Sequence, residues 1–251
     1  MERRNWTRNE LIVAFNLYCK TSFGRIHNRN PEIIALAKAL GRTPSALSWK
    51  LANFARFDPA LKRRNIAGAG HGAKLESEVW DEFSQDWEKL SFDSERLRLE
   101  LLKESLIVET DEIFPAGKAR DALVRVRVNQ GFFRAAVLAA YDAKCCITGL
   151  AVTDLLCASH IVPWSVDLKN RTNPRNGLCL NAIHDRAFDR GLLTITSDYK
   201  IQMSPLITKL NDPGIEAFMR PYDGTQIALP KHFRPDALFL EYHAHHVYRD
   251  V

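Results

Sequence analysis

One stretch, "LLCASHIVPWSVDLKNRTNPRNGLCLNAIHDRAFDRGLL", limits what this chain can fold into more than any other. Its first part is apolar like a strand and ends at His160, and a polar loop then leads to Asn176-Gly177, a tight-turn pair. "LCL" is a short second strand, and Asn181 is placed to cap a helix that Gly191 ends. The stretch therefore predicts a strand, a loop, a strand and a helix.

The polar residues of this stretch point to hydrolysis of a phosphodiester. We expect His160 and His184 to face each other across the unit, with Asn176 bracing the loop between them. A neutral imidazole can take a proton from water near pH 7. One divalent metal ion, held by a second His and neighbouring oxygens, can neutralise charge on the phosphate. A single His at a strand end is more often structural, so the hypothesis depends on all three residues.

Three segments, "CCITGL", "SHIVPWS" and "RNGLCLNAIHDRAFDRGLLTI", give His160, Asn176 and His184 in an order that resembles the HNH endonuclease family, the ββα-metal nucleases. The chain is especially similar to the branch found in bacterial restriction-type endonucleases, over about residues 120–200. The resemblance implies that His160 is the general base, that Asn176 is the structural asparagine of the catalytic group, and that His184 is a metal ligand. It also implies one Mg²⁺ or Mn²⁺ ion per active site and products with 5′-phosphate and 3′-hydroxyl ends.

The residue before the base departs from the family pattern. Many members carry an Asp or His there as a metal ligand, whereas this chain has Ser159, a poor ligand. Asp189 follows His184 by about one and a half helical turns and is our candidate for the missing ligand. Asp185 is a weaker candidate, because it points off the His184 face. A pairing of Asp189 with a neighbouring arginine is the alternative.

The cysteines argue against a structural zinc site. Many family members carry paired CxxC zinc ligands, but the five cysteines here include no CxxC pair. We therefore expect packing alone to hold the ββα unit.

The first segment is predicted to be helical. "TRNE" is a capping box before one helix, and "PEIIALAKALGRTPSALSWKL" predicts two further helices separated by Gly41, the sequence form of a helix-turn-helix. The second helix of such a unit enters the major groove of DNA. The DNA contacts predicted here are Arg42, Thr43, Ser45, Ser48 and Lys50. A plain helical hairpin is the alternative.

Charge is divided unevenly along the chain, whose formal net charge is +5. Residues 1–75 hold 14 Lys and Arg against 4 Asp and Glu, a net of +10. Residues 76–116 hold 4 against 13, a net of −9, and the remaining residues hold 17 against 13, a net of +4. Concentrated positive charge favours a polyanion, most often nucleic acid, although a well-solvated surface gives the same pattern. Double-stranded DNA is the expected partner.

Two domains and a connector are predicted, with an α+β fold class. A helical DNA-recognition domain is expected over residues 1–93, an acidic helical linker over 94–118, and the HNH nuclease domain over 119–251. In the last of these, "VRVRV" alternates like a strand and "GFFRAAVLAAYDAK" is an amphipathic helix. Arg134 on that helix contacts phosphate or forms a surface salt bridge. The histidines of "HAHHVY" are expected at the surface.

The sequence thus predicts a metal-dependent DNA endonuclease that restricts foreign or modified duplex DNA. A double-strand cut requires two active sites, so a homodimer is expected. No apolar run approaches the ~18 residues of a membrane span, and no signal-like segment follows the first residues, so we expect a cytoplasmic protein without a membrane partner. Two alternatives remain open: a DNA-binding regulator with a degenerate HNH domain, and an RNA or structure-specific nuclease.

Overall fold

The computed structural model describes residues 4–62, 74–102 and 118–250, and the chain divides into two units, residues 1–136 and 137–251. Most of the basic segment "KRRNIAGAGHGAK" (62–74) and most of the predicted acidic linker (94–118) lie outside the described residues. None of the described helices is long and apolar enough to cross a bilayer.

The described part of the first unit is built from helices. They are α1 (Arg8–Lys20), α2 (Pro31–Ala39), α3 (Pro44–Phe54), α4 (Pro59–Lys62), α5 (Lys74–Phe83), α6 (Trp87–Leu102) and the first part of α7 (Lys118–Ala140).

The start and stop signals in the sequence act as predicted. Thr7 and Glu10 form a capping box at the start of α1, while Asn30 caps α2 and Thr43 caps α3. Gly41 follows α2 with φ +61°, a conformation that glycine adopts without strain. The two helices joined by a glycine-containing turn are therefore confirmed, and DNA binding by them stays a prediction.

Aromatic rings fill the core of the first unit. Phe15 is fully buried, and its ring centroid lies 4.9 Å from those of Phe54 and Trp80 and 5.9 Å from that of Trp87. Phe83 is also fully buried. The aromatic residues at helical spacing along α5 and α6 are therefore core residues.

The strand predicted over "VRVRV" is wrong, because these residues belong to α7. The alternation of apolar and charged residues ends at Val128. Beyond it, the buried residues are spaced three or four apart, as on one face of a helix: Asn129, Phe132, Phe133 and Ala136. Arg125, inside the alternating run, lies over the Phe92 ring at 4.5 Å from its centroid. The longer helical period prevails over the short alternation.

The division of the chain into two units falls within α7, between Ala136 and Val137. Phe132 stacks on Trp87 of α6 with centroids 6.5 Å apart, so this part of α7 packs with the first unit. The packing boundary lies further along the chain than the predicted limit at 118/119. The functional domains 1–93, 94–118 and 119–251 stay a prediction.

Two antiparallel strand pairs organise the second unit. Its elements after α7 are β1 (Leu156–His160), β2 (Gly177–Asn181), α8 (Ala182–Asp189), β3 (Leu193–Ile195), β4 (Ile201–Met203), α9 (Pro205–Thr208), α10 (Pro213–Phe218) and α11 (Ala237–His246). β1 pairs with β2 and β3 pairs with β4. Together with the helices, these sheets confirm the α+β fold class.

The last helix supports α8. His243 on α11 is buried and stacks on the Phe188 ring with centroids 3.6 Å apart. Its Nε2 donates to the Phe188 carbonyl at 3.1 Å, so its Nδ1 accepts from the Thr194 hydroxyl at 2.9 Å. The prediction of surface histidines is wrong for His243, because this side of α11 packs on α8 and β3, whereas His245 and His246 are exposed.

Gly191 ends α8, as predicted, in the left-handed region with φ +67°. A Cβ at this position would collide with the carbonyl oxygen of Val247, so only glycine fits. The Gly191 carbonyl accepts a hydrogen bond from the Arg249 backbone at 3.0 Å. The end of α8 is thus packed against the segment that follows α11.

Candidate active site and nucleic-acid interface

A hairpin and one helix carry the predicted catalytic residues. β1 ends at His160, opposite Gly177 at the start of β2, and α8 follows β2 directly. Asn181 caps α8 by accepting hydrogen bonds from the backbone N–H groups of Ile183 and His184. The predicted order of strand, loop, strand and helix is confirmed.

Asn176 ties the loop between β1 and β2 to the end of β1. Its side chain is fully buried and accepts a hydrogen bond from the Val162 N–H at 2.8 Å. Its amide donates to the carbonyls of Val162 at 3.1 Å and Asn170 at 3.3 Å. This one side chain therefore holds both ends of the loop.

His160 is held in one orientation at the end of β1. Its Nε2 donates to the carbonyl oxygen of Arg171 at 2.8 Å, and its ring meets Trp164 edge-on with centroids 5.3 Å apart. Burial lowers the pKa of His160, and the opposing effects of the Arg171 carbonyl and Asp185 do not cancel this. The imidazole is therefore neutral at pH 7, with its lone pair on Nδ1.

His184 points into the second unit. Its side chain is 1% exposed, and its Nε2 donates to the Phe218 carbonyl at 2.9 Å. Tyr222 meets the imidazole edge-on with centroids 5.4 Å apart. Among the described residues, Nδ1 has no partner of regular hydrogen-bond geometry.

Cys145, which was not predicted as a site residue, lies beside His184. Burial raises the pKa of its thiol, but hydrogen bonds with His184 and Thr148 more than offset this and bring the pKa to about 7. The sequence signal was its position in "CCITG".

Asp185 on α8 influences both His160 and Asp189 electrostatically. Asp185 opposes the lowering of the pKa of His160. The pKa of Asp189 is raised, first by burial and then by Asp185, against the effects of Arg186 and Arg190. Asp185, the weaker candidate from the sequence, is therefore the carboxylate of α8 whose charge affects the pKa of the predicted base.

A family model described as HNH endonuclease matches residues 145–196, which contain β1, β2, α8 and β3. This segment belongs to the HNH endonuclease family. The resemblance of the sequence to that family is confirmed, and the restriction-type branch stays a proposal. The comparison with curated proteins found no match.

The residues near α8 do not together form a metal site. HNH nucleases generally use a divalent metal, and the buried Nδ1 of His184 is a suitable donor atom. Across the described ranges, however, no three His, Cys, Asp or Glu side chains lie close enough to hold one ion. Ser159 occupies the position of the usual acidic ligand and is buried. His184 and Asp189 therefore remain metal ligands predicted from the sequence.

Arg42, predicted to contact DNA, instead makes its contacts within the first unit. Its Nε and Nη2 donate to the two carboxylate oxygens of Glu10 at 3.0 and 2.9 Å, and its guanidinium also donates to the carbonyls of Arg4 and Asn5 at 2.8 and 2.7 Å. The side chain is only 9% exposed. These bonds occupy most of its donors and hold Arg42 within the first unit, and its contact with DNA stays a prediction.

Lys50 is likewise committed to a carboxylate. Glu76 is fully buried; one of its oxygens binds the Lys50 ammonium, and the other accepts from Arg56 at 3.0 Å. Lys50 is 12% exposed, and its contact with DNA likewise stays a prediction.

The remaining predicted DNA contacts stay predictions. Thr43 and Ser45 are exposed; Thr43 caps α3, and the Ser45 hydroxyl accepts from the Asn28 amide at 3.1 Å. Ser48 is partly exposed and bonds within its own helix, and Arg134 is exposed on α7.

Proposed function

We propose that the protein is a metal-dependent DNA endonuclease that hydrolyses phosphodiester bonds. The observation that carries this proposal is His160, a neutral imidazole held at the end of β1 within a segment of the HNH endonuclease family. A neutral, oriented imidazole is the group that general-base hydrolysis requires.

His160 accepts the proton of the attacking water. Because Nε2 donates to the Arg171 carbonyl, the atom that can take the proton is Nδ1. The water oxygen forms a bond to phosphorus as the bond from phosphorus to the 3′ oxygen breaks, which yields 5′-phosphate and 3′-hydroxyl ends. The Asp185 carboxylate stabilises the imidazolium produced in this step.

Asn176 acts as a positioning residue for the base. It binds the Asn170 carbonyl, and the next residue, Arg171, supplies the carbonyl that orients His160. Asn176 thereby selects the tautomer with the lone pair on Nδ1.

A divalent ion, Mg²⁺ or Mn²⁺, belongs to the proposal because nucleases of this family generally use one. Such an ion would neutralise negative charge on the phosphate. His184 and Asp189 are the ligands predicted for it. The proton transfer to His160 and the bond changes at phosphorus do not depend on where the ion binds.

Duplex DNA, foreign or modified, is the proposed substrate. The net charge of +10 in residues 1–75 favours a polyanion. Cutting both strands requires two active sites, so we expect a homodimer on DNA.

The test is cleavage of supercoiled plasmid with Mg²⁺ or Mn²⁺ by wild type and His160→Ala. His245→Ala, which alters an exposed histidine of the same unit, is the matched control. We expect metal-dependent nicking or linearisation by wild type and the control, and none by His160→Ala. If wild type cuts neither ordinary plasmid nor plasmid with modified cytosines, the proposal fails.

A DNA-binding regulator is the second candidate, favoured by Ser159 and by the lack of three grouped ligands among the described residues. Such a protein would bind DNA without cutting it and would show no His184-dependent Mn²⁺ binding in calorimetry. Preferential cleavage of RNA or branched DNA in a competition assay would instead indicate an RNA nuclease or a structure-specific nuclease.

A further inference from the structure

The solvent-facing side of α3 carries a tryptophan between small residues. Leu47, Leu51 and Phe54 on the opposite side are fully buried. Trp49 exposes 66% of its surface, and the small residues around it on this side are Ser45, Ser48 and Ala52. The helix backbone can therefore approach a partner closely on either side of the indole.

Trp49 is not needed by the core of the first unit. That core already holds Trp80 and Trp87, which are 8% and 4% exposed. The indole is therefore available to a partner, and its helix carries no acidic residue that would repel a polyanion.

A structured loop lies beside the start of α3. The Asn30 side chain, 2% exposed, accepts from the Glu32 N–H at 2.9 Å and donates to the Arg25 carbonyl at 3.0 Å, which fixes the loop before α2. Asn28 in the same loop donates to Ser45 at 3.1 Å. The loop and α3 thus form one surface.

This surface is positively charged. Arg25 and Arg29 are exposed, and within the described part of the chain neither has a carboxylate within salt-bridge distance. The buried carboxylates nearby in sequence and fold, Glu10 and Glu76, are already neutralised by other cations. We name Arg25, Asn28, Arg29, Ser45 and Trp49 the Trp49 surface.

We propose that the Trp49 surface binds duplex DNA, with Arg25 and Arg29 on phosphates and Trp49 against the bases in a groove. The inference rests on the proposed function, in which DNA is the substrate. Arginines position a protein on the phosphate backbone, short polar side chains reach phosphates or base edges, and apolar side chains enter between base steps. A protein partner would favour a wider apolar patch than one indole, and it would not need the two arginines.

The test uses the His160→Ala protein, so that binding is measured without cleavage, and a short fluorescein-labelled duplex of mixed sequence followed by anisotropy. Trp49→Ala should weaken binding by about tenfold, and Trp49→Phe should retain most of the affinity. Arg25→Ala/Arg29→Ala should weaken binding and reduce the slope of log K against log salt by about 2, whereas Trp49→Ala should leave the slope unchanged. Leu238→Ala, an exposed apolar residue of the second unit, is the matched control and should bind normally.

The midpoint of thermal unfolding shows whether a variant binds weakly because it has lost DNA contacts or because it is less stable. Since the substituted residues are exposed, we expect the midpoint to stay unchanged. If the parent binds the duplex and both the Trp49→Ala and the arginine variants bind equally well, the Trp49 surface is refuted while the nuclease proposal stands. If Trp49-dependent binding is found for RNA and not for duplex DNA, the assignment of the partner is overturned. If the His160→Ala protein binds no duplex DNA and the wild type cuts none, both proposals are overturned.

Discussion

Replacing Asn176 with alanine is expected to destabilise the second unit by about 2 to 5 kcal/mol. The substitution removes three hydrogen bonds and leaves the N–H and the carbonyl of Val162 buried without a partner. Each buried polar group left unpaired costs about 1–3 kcal/mol. The Asn170 carbonyl is only partly buried, so water can replace that bond at little cost.

Asn176→Asp separates the two halves of this network. The carboxylate keeps the acceptor for the Val162 N–H but places a second acceptor against the carbonyls of Val162 and Asn170. We therefore expect Asn176→Asp to be no more stable than Asn176→Ala, although it is nearly the same shape as the wild type.

Urea denaturation, followed by circular dichroism, measures the free energy of unfolding of each variant. Hydrogen exchange over residues 160–176 shows whether the loss is in the loop. Asn211→Ala, at an exposed asparagine of the same unit, should change stability by less than about 0.5 kcal/mol. A loss below about 1 kcal/mol for Asn176→Ala would refute the argument that this side chain holds the loop.

Four further predictions follow from the structure. Because the pKa of His160 is lowered, cleavage should persist at pH 6.5 and decline only at lower pH; an acid limb of kcat/KM above pH 7 would contradict a neutral base. Burial lowers the pKa of His243 to about 4, against an ordinary value of about 6.5, so the unfolded chain takes up the proton first as pH falls. The unfolding free energy of wild type should therefore drop by about 3 kcal/mol more than that of His243→Gln between pH 7 and pH 4, and equal slopes in urea titrations would contradict this. Glu76→Ala should destabilise the first unit by about 3–5 kcal/mol, because Lys50 and Arg56 lose their buried partner; a change below about 1 kcal/mol in the same assay would argue against it. EDTA should abolish plasmid cleavage and excess Mn²⁺ should restore it, and cleavage that continues in EDTA would exclude the metal from the reaction.

The ββα unit could be predicted from the sequence because its boundaries depend on neighbouring residues. Asn181 caps the helix that begins at the next residue, and Gly191 adopts the left-handed conformation just beyond its end. Such signals act within one helical turn, so they are visible without knowledge of the fold.

The partners of the basic residues could not be predicted in this way. Arg42 binds Glu10 and Lys50 binds Glu76, residues that lie on other helices. A count of charged residues gives the net charge of a segment. It does not show which Lys and Arg side chains are already paired with a carboxylate. For the same reason, the exposed Trp49 was recognisable only after its helix had been packed.

Asp185 shows a different limit of sequence reasoning. Helical spacing places it off the His184 face, and we therefore ranked it below Asp189. The structure turns His184 towards Phe218 and leaves Asp185 to act on His160. Helical spacing shows which residues share a face of α8, but it does not show which strand or loop that face contacts.

The contact between α11 and α8 sets the size of any fragment that could be excised or transplanted. The segment that matches the family ends at residue 196, but His243, some distance beyond it, satisfies the Phe188 carbonyl and the Thr194 hydroxyl. A fragment cut at the family boundary would expose the Phe188 ring and leave both polar groups to water. A self-sufficient HNH module, grafted onto another protein, must therefore extend at least to Arg249, which binds the end of α8.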